Sequence, residues 1–195
     1  MSKGRTTIWG QFGTINNTIE IVPYTIKWVD AFEYESKRIR NACHNTPVKI
    51  EHIGSTSIPG LSAKPVLDIM IGFFAKADGE NLIEPMQELK YEYHGEYGIT
   101  GRYFFVLKHQ NRSVVHVHCF VVYSEDWNRH MFFKNYLLNN SEQMKNYEAL
   151  KVQLAQEYKT DRKSYSNGKS EFIKSIENLR HDHQIQQTPQ IGATD

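Results

Sequence analysis

The chain has 195 residues, of which 39% are hydrophobic and 23% charged, the balance of a globular protein with one domain and a substantial core. Its 23 Lys and Arg nearly cancel 22 Asp and Glu, leaving a formal charge of +1. That excludes the large basic excess of a dedicated nucleic-acid or membrane-surface binder, but not a local basic pocket for a small phosphorylated ligand.

Residues 1–18 are polar, contain Gly and Asn, and predict a loosely attached arm ahead of a domain over 19–180. Residues 19–23 alternate as a short strand does, and Pro23 breaks it. From Lys27 the apolar positions Trp28, Phe32, Ile39 and Cys43 recur near helical spacing, which predicts an amphipathic helix over 27–45. Residues 48–53 alternate like a strand and run into Gly54, Ser55, Thr56 and Ser57, small residues that predict a turn. Residues 66–74, VLDIMIGFF, predict a buried central strand interrupted by one carboxylate.

A helix is predicted over 79–90, against the presence of Pro85 in its middle. Strands follow at 102–108 and 113–122, the second β-branched and carrying His116 and His118 on one face. Helices over 124–139, 141–161 and 169–179 close the domain, with Ser124 and Ser141 as N-caps of the first two. From 181 to 195 a polar tail is expected to be disordered. Strands crowd the first two thirds and helices the last, an α+β pattern: a mixed β-sheet with helices packed on one side and further C-terminal helices. No apolar run approaches the ~20 residues of a membrane span and no secretory signal opens the chain, so the expected location is the cytoplasm. Cys43 and Cys119 sit inside apolar patterns and are expected to be buried free thiols.

The chemically loaded segment is IEHIGSTSIPGLSAKPVLDIMI. Glycine lets a backbone approach a phosphate closely, and the N–H groups and hydroxyls of Gly54, Ser55, Thr56 and Ser57 can line an anion cradle. Asp68 shares a strand face with Val66 and Met70, and a carboxylate there demands a metal, a cation such as Lys64, or backbone donors. An anion cradle beside a buried carboxylate suits a phosphate bridged by Mg²⁺. His116 and His118 stand about 7 Å apart along one strand face, close enough to share a metal or a phosphate; with Asp68 they also suit a transition metal, or a proton-transfer role. Arg102 and Lys64 are the candidate phosphate cations. Lys134, Lys151 and Lys169, on the C-terminal helices, are as readily solvated as functional, and Trp28 and Trp127 are expected in the core.

Glu51-His52-Ile53-Gly54-Ser55-Thr56-Ser57-Ile58-Pro59-Gly60-Leu61, then Ala63-Lys64-Pro65 and Asp68-Ile69, resembles the signature of the GrpB family. Val22-Pro23-Tyr24 and Trp28 upstream fit in order, as do Gly98-Ile99, Gly101-Arg102, His116-Val117-His118, Trp127, Tyr147, Tyr165 and Lys169 downstream, so the resemblance covers residues 20–177. It implies a nucleotidyltransferase-like fold, in which a carboxylate pair one residue apart follows a Gly-Ser turn and holds metal. It therefore implies metal-dependent transfer of a nucleotidyl group from a nucleoside triphosphate to an acceptor, with Asp68, His116 and His118 as catalytic residues. The alternative is a non-catalytic module that binds a nucleotide or coenzyme A, since members also occur fused to dephospho-CoA kinase. The departure from the pattern is Met70, where the second carboxylate belongs; methionine is no ligand for Mg²⁺, so Glu51 or the two histidines would have to complete a site on Asp68.

Overall fold

In the computed structural model, residues 8–14 and 18–187 are described. Helix α1 (Lys27–Ala42) leads into strand β1 (Val48–Ile53), a single 3₁₀ turn (Ser55–Ser57) and strand β2 (Leu67–Phe73). Two short helices follow, α2 (Lys76–Asn81) and α3 (Ile83–Glu88), then strands β3 (Tyr91–Tyr93), β4 (Tyr103–His109) and β5 (Arg112–Val121). Helices α4 (Glu125–Asn139), α5 (Ser141–Glu157), α6 (Arg162–Gly168) and α7 (Ser170–Gln187) complete the described chain. The strands make one mixed sheet in the order β1-β2-β5-β4-β3. Only β2 and β5 run parallel; the other neighbours are antiparallel. The fold is the α+β, nucleotidyltransferase-like arrangement expected.

Several boundaries differ from the sequence reading, each for a local reason. The helix expected over 79–90 is two helices meeting at Leu82, and Pro85 lies in the first turn of α3, where its missing N–H costs no helical hydrogen bond. The helix expected over 141–161 ends at Glu157, because the Asp161 carboxylate accepts from the N–H groups of Lys163 and Ser164, both at 3.0 Å, and starts α6. Ser124 caps α4 as expected, but the N-cap of α5 is Asn140 rather than Ser141. Residues 19–23 form no strand beyond an isolated bridge from Val22 to Ala63. Helix α7 continues past residue 181 to Gln187, where a tail was expected; 188–195 lie outside the described residues.

The 1–18 arm is also corrected where it is described. Trp9 and Phe12 are 1% and 3% exposed and belong to the principal core. Gly13 donates to the Pro65 carbonyl at 2.6 Å, and Thr14 bridges to Ser113.

Period-two alternation splits the sheet into two faces. Leu67, Ile69 and Ile71 of β2 join Val115, Val117 and Cys119 of β5 in the principal core, packed against Trp28, Ala31 and Ile39 of α1 and against Leu82 and Met86. The opposite face carries Asp68, Met70 and Gly72 of β2 beside His116, His118 and Phe120 of β5. Trp127 of α4 covers one end of it: a Cβ on Gly72 would meet the indole at 2.5 Å, so glycine is what lets α4 seat there. Cys43 and Cys119 are buried and free. Among the described residues no helix is long and apolar enough to cross a membrane.

Candidate functional site

The uncovered part of that second face centres on Asp68. At Gly54 the chain leaves β1 with φ +69°, a left-handed value, and a Cβ there would lie 2.6 Å from Asp68 Oδ2. Glycine is thus required twice, by its conformation and by the carboxylate it faces. The rest of the turn is committed to holding its own shape. Ser57 Oγ donates to the Gly54 carbonyl at 2.7 Å, and the buried Thr56 hydroxyl pairs with His52 Nε2 at 3.0 Å on the other side of the strand. The Ser55 hydroxyl lies near the buried Tyr147 hydroxyl and partly offsets the rise that burial imposes on the tyrosine's pKa. The Thr56 hydroxyl expected in an anion cradle therefore points elsewhere, because the 3₁₀ turn rotates successive side chains around its axis rather than lining them up.

Asp68 Oδ1 lies 3.4 Å from His116 Nδ1 and 3.8 Å from His118 Nε2. The parallel register sets this, opposing Asp68 to His116 and Met70 to His118. Burial alone would raise the Asp68 pKa; hydrogen bonding and charge from the two imidazoles outweigh it and hold the carboxyl far below the usual carboxylate range.

Arg102, expected to bind phosphate, is 6% exposed and lies beneath the site. Its Nε donates to the Glu96 carbonyl at 3.1 Å, Nη2 to the Tyr97 carbonyl at 2.5 Å, and Nη1 to His118 Nδ1 at 3.1 Å. Each nitrogen of the guanidinium is engaged. A further imidazole that the sequence pattern did not single out, His130 of α4, lies with its ring 5.8 Å from that of His118 and tilted 49° to it. Its Nδ1 donates to the Asp126 carbonyl at 2.6 Å, and burial, reinforced by His118 and Arg129, lowers its pKa to about 3.

Cations gather on the other side of Asp68. Lys64 and Lys169 both lie over the ring of the buried Tyr165, with ammonium-to-centroid distances of 5.3 and 4.5 Å. Among the described residues neither has a carboxylate within 4.0 Å. Burial depresses both; for Lys169, repulsion from Lys64 adds to it, the attraction of Asp68 opposes it, and the pKa falls to about 8. Lys151, 2% exposed, donates to the Ser62 carbonyl and lies 5.0 Å over Tyr147, its pKa lowered to about 7 first by burial and then by Lys169. Lys134 donates to the His52 carbonyl at 2.8 Å. The clue to Lys169 in the sequence is its spacing of four from Tyr165, which places both on one side of a helical turn.

The donor set does not fit a two-carboxylate magnesium centre. Met70 is fully buried among Ile53, Phe120, Val122 and Trp127. Glu51 lies opposite Met70 in the register, one pleat repeat away from Asp68, and its charge is felt by Lys134. Among the described residues no group of three or more His, Cys, Asp or Glu is placed to hold a metal ion.

The family model described as GrpB protein matches residues 18–179. The UPF0157 protein YqkA of Bacillus subtilis (strain 168) is 35% identical over 159 residues, 82% of this chain and 46% of that protein, so the chain spans less than half of that relative's length. The glutamate-rich protein GrpB of Alkalihalophilus pseudofirmus is 31% identical over 170 residues, covering 85% of this chain and 98% of that protein. The crystal structure of conserved protein GrpB from Enterococcus faecalis superimposes with a TM-score of 0.77 at 32% identity, over 85% of this chain and 99% of that one. With its sequence matched over 162 consecutive positions and its fold shared, the chain belongs to the GrpB protein family.

Proposed function

We propose that the protein binds a phosphorylated small molecule, a nucleotide in the first instance, with its phosphates on Lys64 and Lys169 beside the 54–57 turn. The observation that carries this is the pair of ammoniums over one tyrosine ring, with no carboxylate within ion-pair distance among the described residues. Two part-buried like charges repel and lose hydration, and an anion bound between them relieves both penalties. Lysine supplies point charge without demanding a fixed geometry, and Tyr165 holds the stems in place. In this reading the ammoniums take the charge-neutralising role that magnesium has in the two-metal enzymes, while Asp68 is already engaged by its histidines.

Transfer of a nucleotidyl group is the second reading, favoured by the contact between Asp68 and His116. A carboxylate beside an imidazole can orient it and stabilise its charged form, so that the ring accepts a proton from an attacking hydroxyl.

Calorimetry with ADP and with inorganic pyrophosphate tests the binding reading. Affinity in chelator should come within a few-fold of that in millimolar Mg²⁺, and Lys64→Met and Lys169→Met should each weaken it roughly 10- to 100-fold, the worth of one charge-assisted contact. The ligand needs Lys169 charged, so affinity for ADP, once its terminal phosphate is fully ionised, should fall as pH rises through the free-protein pKa of about 8, with proton uptake on binding in that range. Binding that appears only with the metal ion would overturn the ammonium reading in favour of a magnesium bridge at Asp68.

A further inference from the structure

The loop between β3 and β4 places an exposed aromatic ring beside the site and is built to hold it still. Tyr97 has φ +44°, a left-handed value that bulky residues rarely adopt. The loop is tied down on both sides of it. Arg102 donates to the carbonyls of Glu96 and Tyr97, the Gly101 N–H donates to the Glu96 carboxylate at 2.6 Å, and the Phe104 N–H to the Gly95 carbonyl at 3.0 Å. The ring of Tyr97 lies parallel on Phe104, with centroids 5.0 Å apart and planes 16° from coincident, yet Tyr97 is 68% exposed. Phe104 in turn is 5.0 Å from the ring of His118 and 5.5 Å from that of His116. A run of ring contacts, stacked between Tyr97 and Phe104 and tilted by 57° and 60° between Phe104 and the two imidazoles, therefore leads from the Asp68 site to an open aromatic face at the surface.

Tyr123 makes the contrast. It too is exposed, with φ +64°, but the Lys49 ammonium covers its ring at 4.6 Å and binds its hydroxyl at 2.6 Å. Among the described residues no cation lies over Tyr97, whose other ring neighbour, His94, meets it edge-on at 5.9 Å, and the same guanidinium that holds its backbone also holds His118.

We propose that Tyr97 is a stacking platform for a nucleobase, one base face on the open side of its ring, with the phosphates of the same ligand reaching toward Lys64 and Lys169. This rests on the phosphate-binding reading above and narrows its ligand from any phosphorylated molecule to one carrying a flat aromatic base. A rigid ring with one covered face gives a base a place to stack without the entropy of ordering the side chain first. Recognition by stacking is tolerant of base identity, because every base has a π-face.

The test compares wild type, Tyr97→Ala and Tyr97→Trp by calorimetry against ADP, ribose 5-phosphate and pyrophosphate. Tyr97→Ala should weaken ADP roughly 5- to 100-fold while leaving ribose 5-phosphate and pyrophosphate unchanged. Tyr97→Trp should retain ADP affinity, and ADP should quench its fluorescence where pyrophosphate does not. If all three ligands weaken together in Tyr97→Ala, the residue is structural and the platform is wrong. Should ADP bind no more tightly than pyrophosphate in wild type, both depending on Lys64 and Lys169, the platform fails while phosphate binding stands. If neither ADP nor pyrophosphate binds wild type, the phosphate reading has failed and the platform with it.

Discussion

An arginine has no acceptor atom, and that fact sets the state of His118. Because Arg102 Nη1 donates to Nδ1, the imidazole proton must sit on Nε2, the nitrogen turned toward Asp68. A second proton would have to go onto Nδ1, against the guanidinium. Burial lowers the His118 pKa, Asp68 opposes that, and Arg102 with His116 adds to it, so the ring stays neutral where a free histidine would begin to charge. Replacing Arg102 with Met should let His118 titrate closer to the ordinary histidine value, and histidine NMR should show the Nε2–H tautomer giving way to a mixture. A wild-type ring found as the Nδ1–H tautomer would remove Arg102 from its positioning role. Gly54 belongs to the same scale: any side chain there would displace the carboxylate around which the site is arranged.

At the scale of elements, the strand-turn-strand unit is held from behind as well as in front. His52, on the core side of β1, stacks on Phe32 of α1 with centroids 4.9 Å apart, receives or gives the Thr56 hydrogen bond through Nε2, and offers its carbonyl to Lys134 of α4. One residue thus ties β1 to two helices and to its own turn. Burial first, and then Lys134, lowers its pKa from 6.5 to about 4. The unfolded chain binds the extra proton between those values, so the stability of the neutral ring is complete above pH 6.5 and drains away as pH falls toward 4, by about 3 kcal/mol in all. Urea unfolding at pH 7 and pH 4.5 should show the wild type losing markedly more stability than His52→Gln; equal losses would mean that His52 is not the acid-sensitive lock. His118 and His130 act with the same sign and account for the loss that the variant retains.

Over the whole molecule, two sequence-distant regions close the structure: the stretch before α1 and the four C-terminal helices. Trp9 and Phe12 meet edge-on, with rings 5.4 Å apart, within the same core as α1 and the sheet. Trp9→Ala should cost about 3–5 kcal/mol and lower the melting temperature by roughly 6–20 °C; a shift of only a degree or two would return that stretch to the status of a loose arm. Its low hydrophobicity concealed this, because two aromatic rings among polar residues leave no periodic pattern, and burial depends on what they meet. The sequence alone determined the strand alternation of 48–53, the buried run containing Asp68, the shared face of His116 and His118, and the family. Each of these is a property of local periodicity or of a contiguous motif, and the backbone geometry of strands converts it directly into direction. Only the tertiary structure decided that the Arg102 guanidinium is engaged by His118 and two backbone carbonyls where the sequence suggested a phosphate, that Thr56 faces away from Asp68, and that Lys64 and Lys169 meet over Tyr165. Those facts depend on pairings between residues far apart in the chain, and on which partner reaches a polar group first, and neither is encoded in the spacing of any single segment.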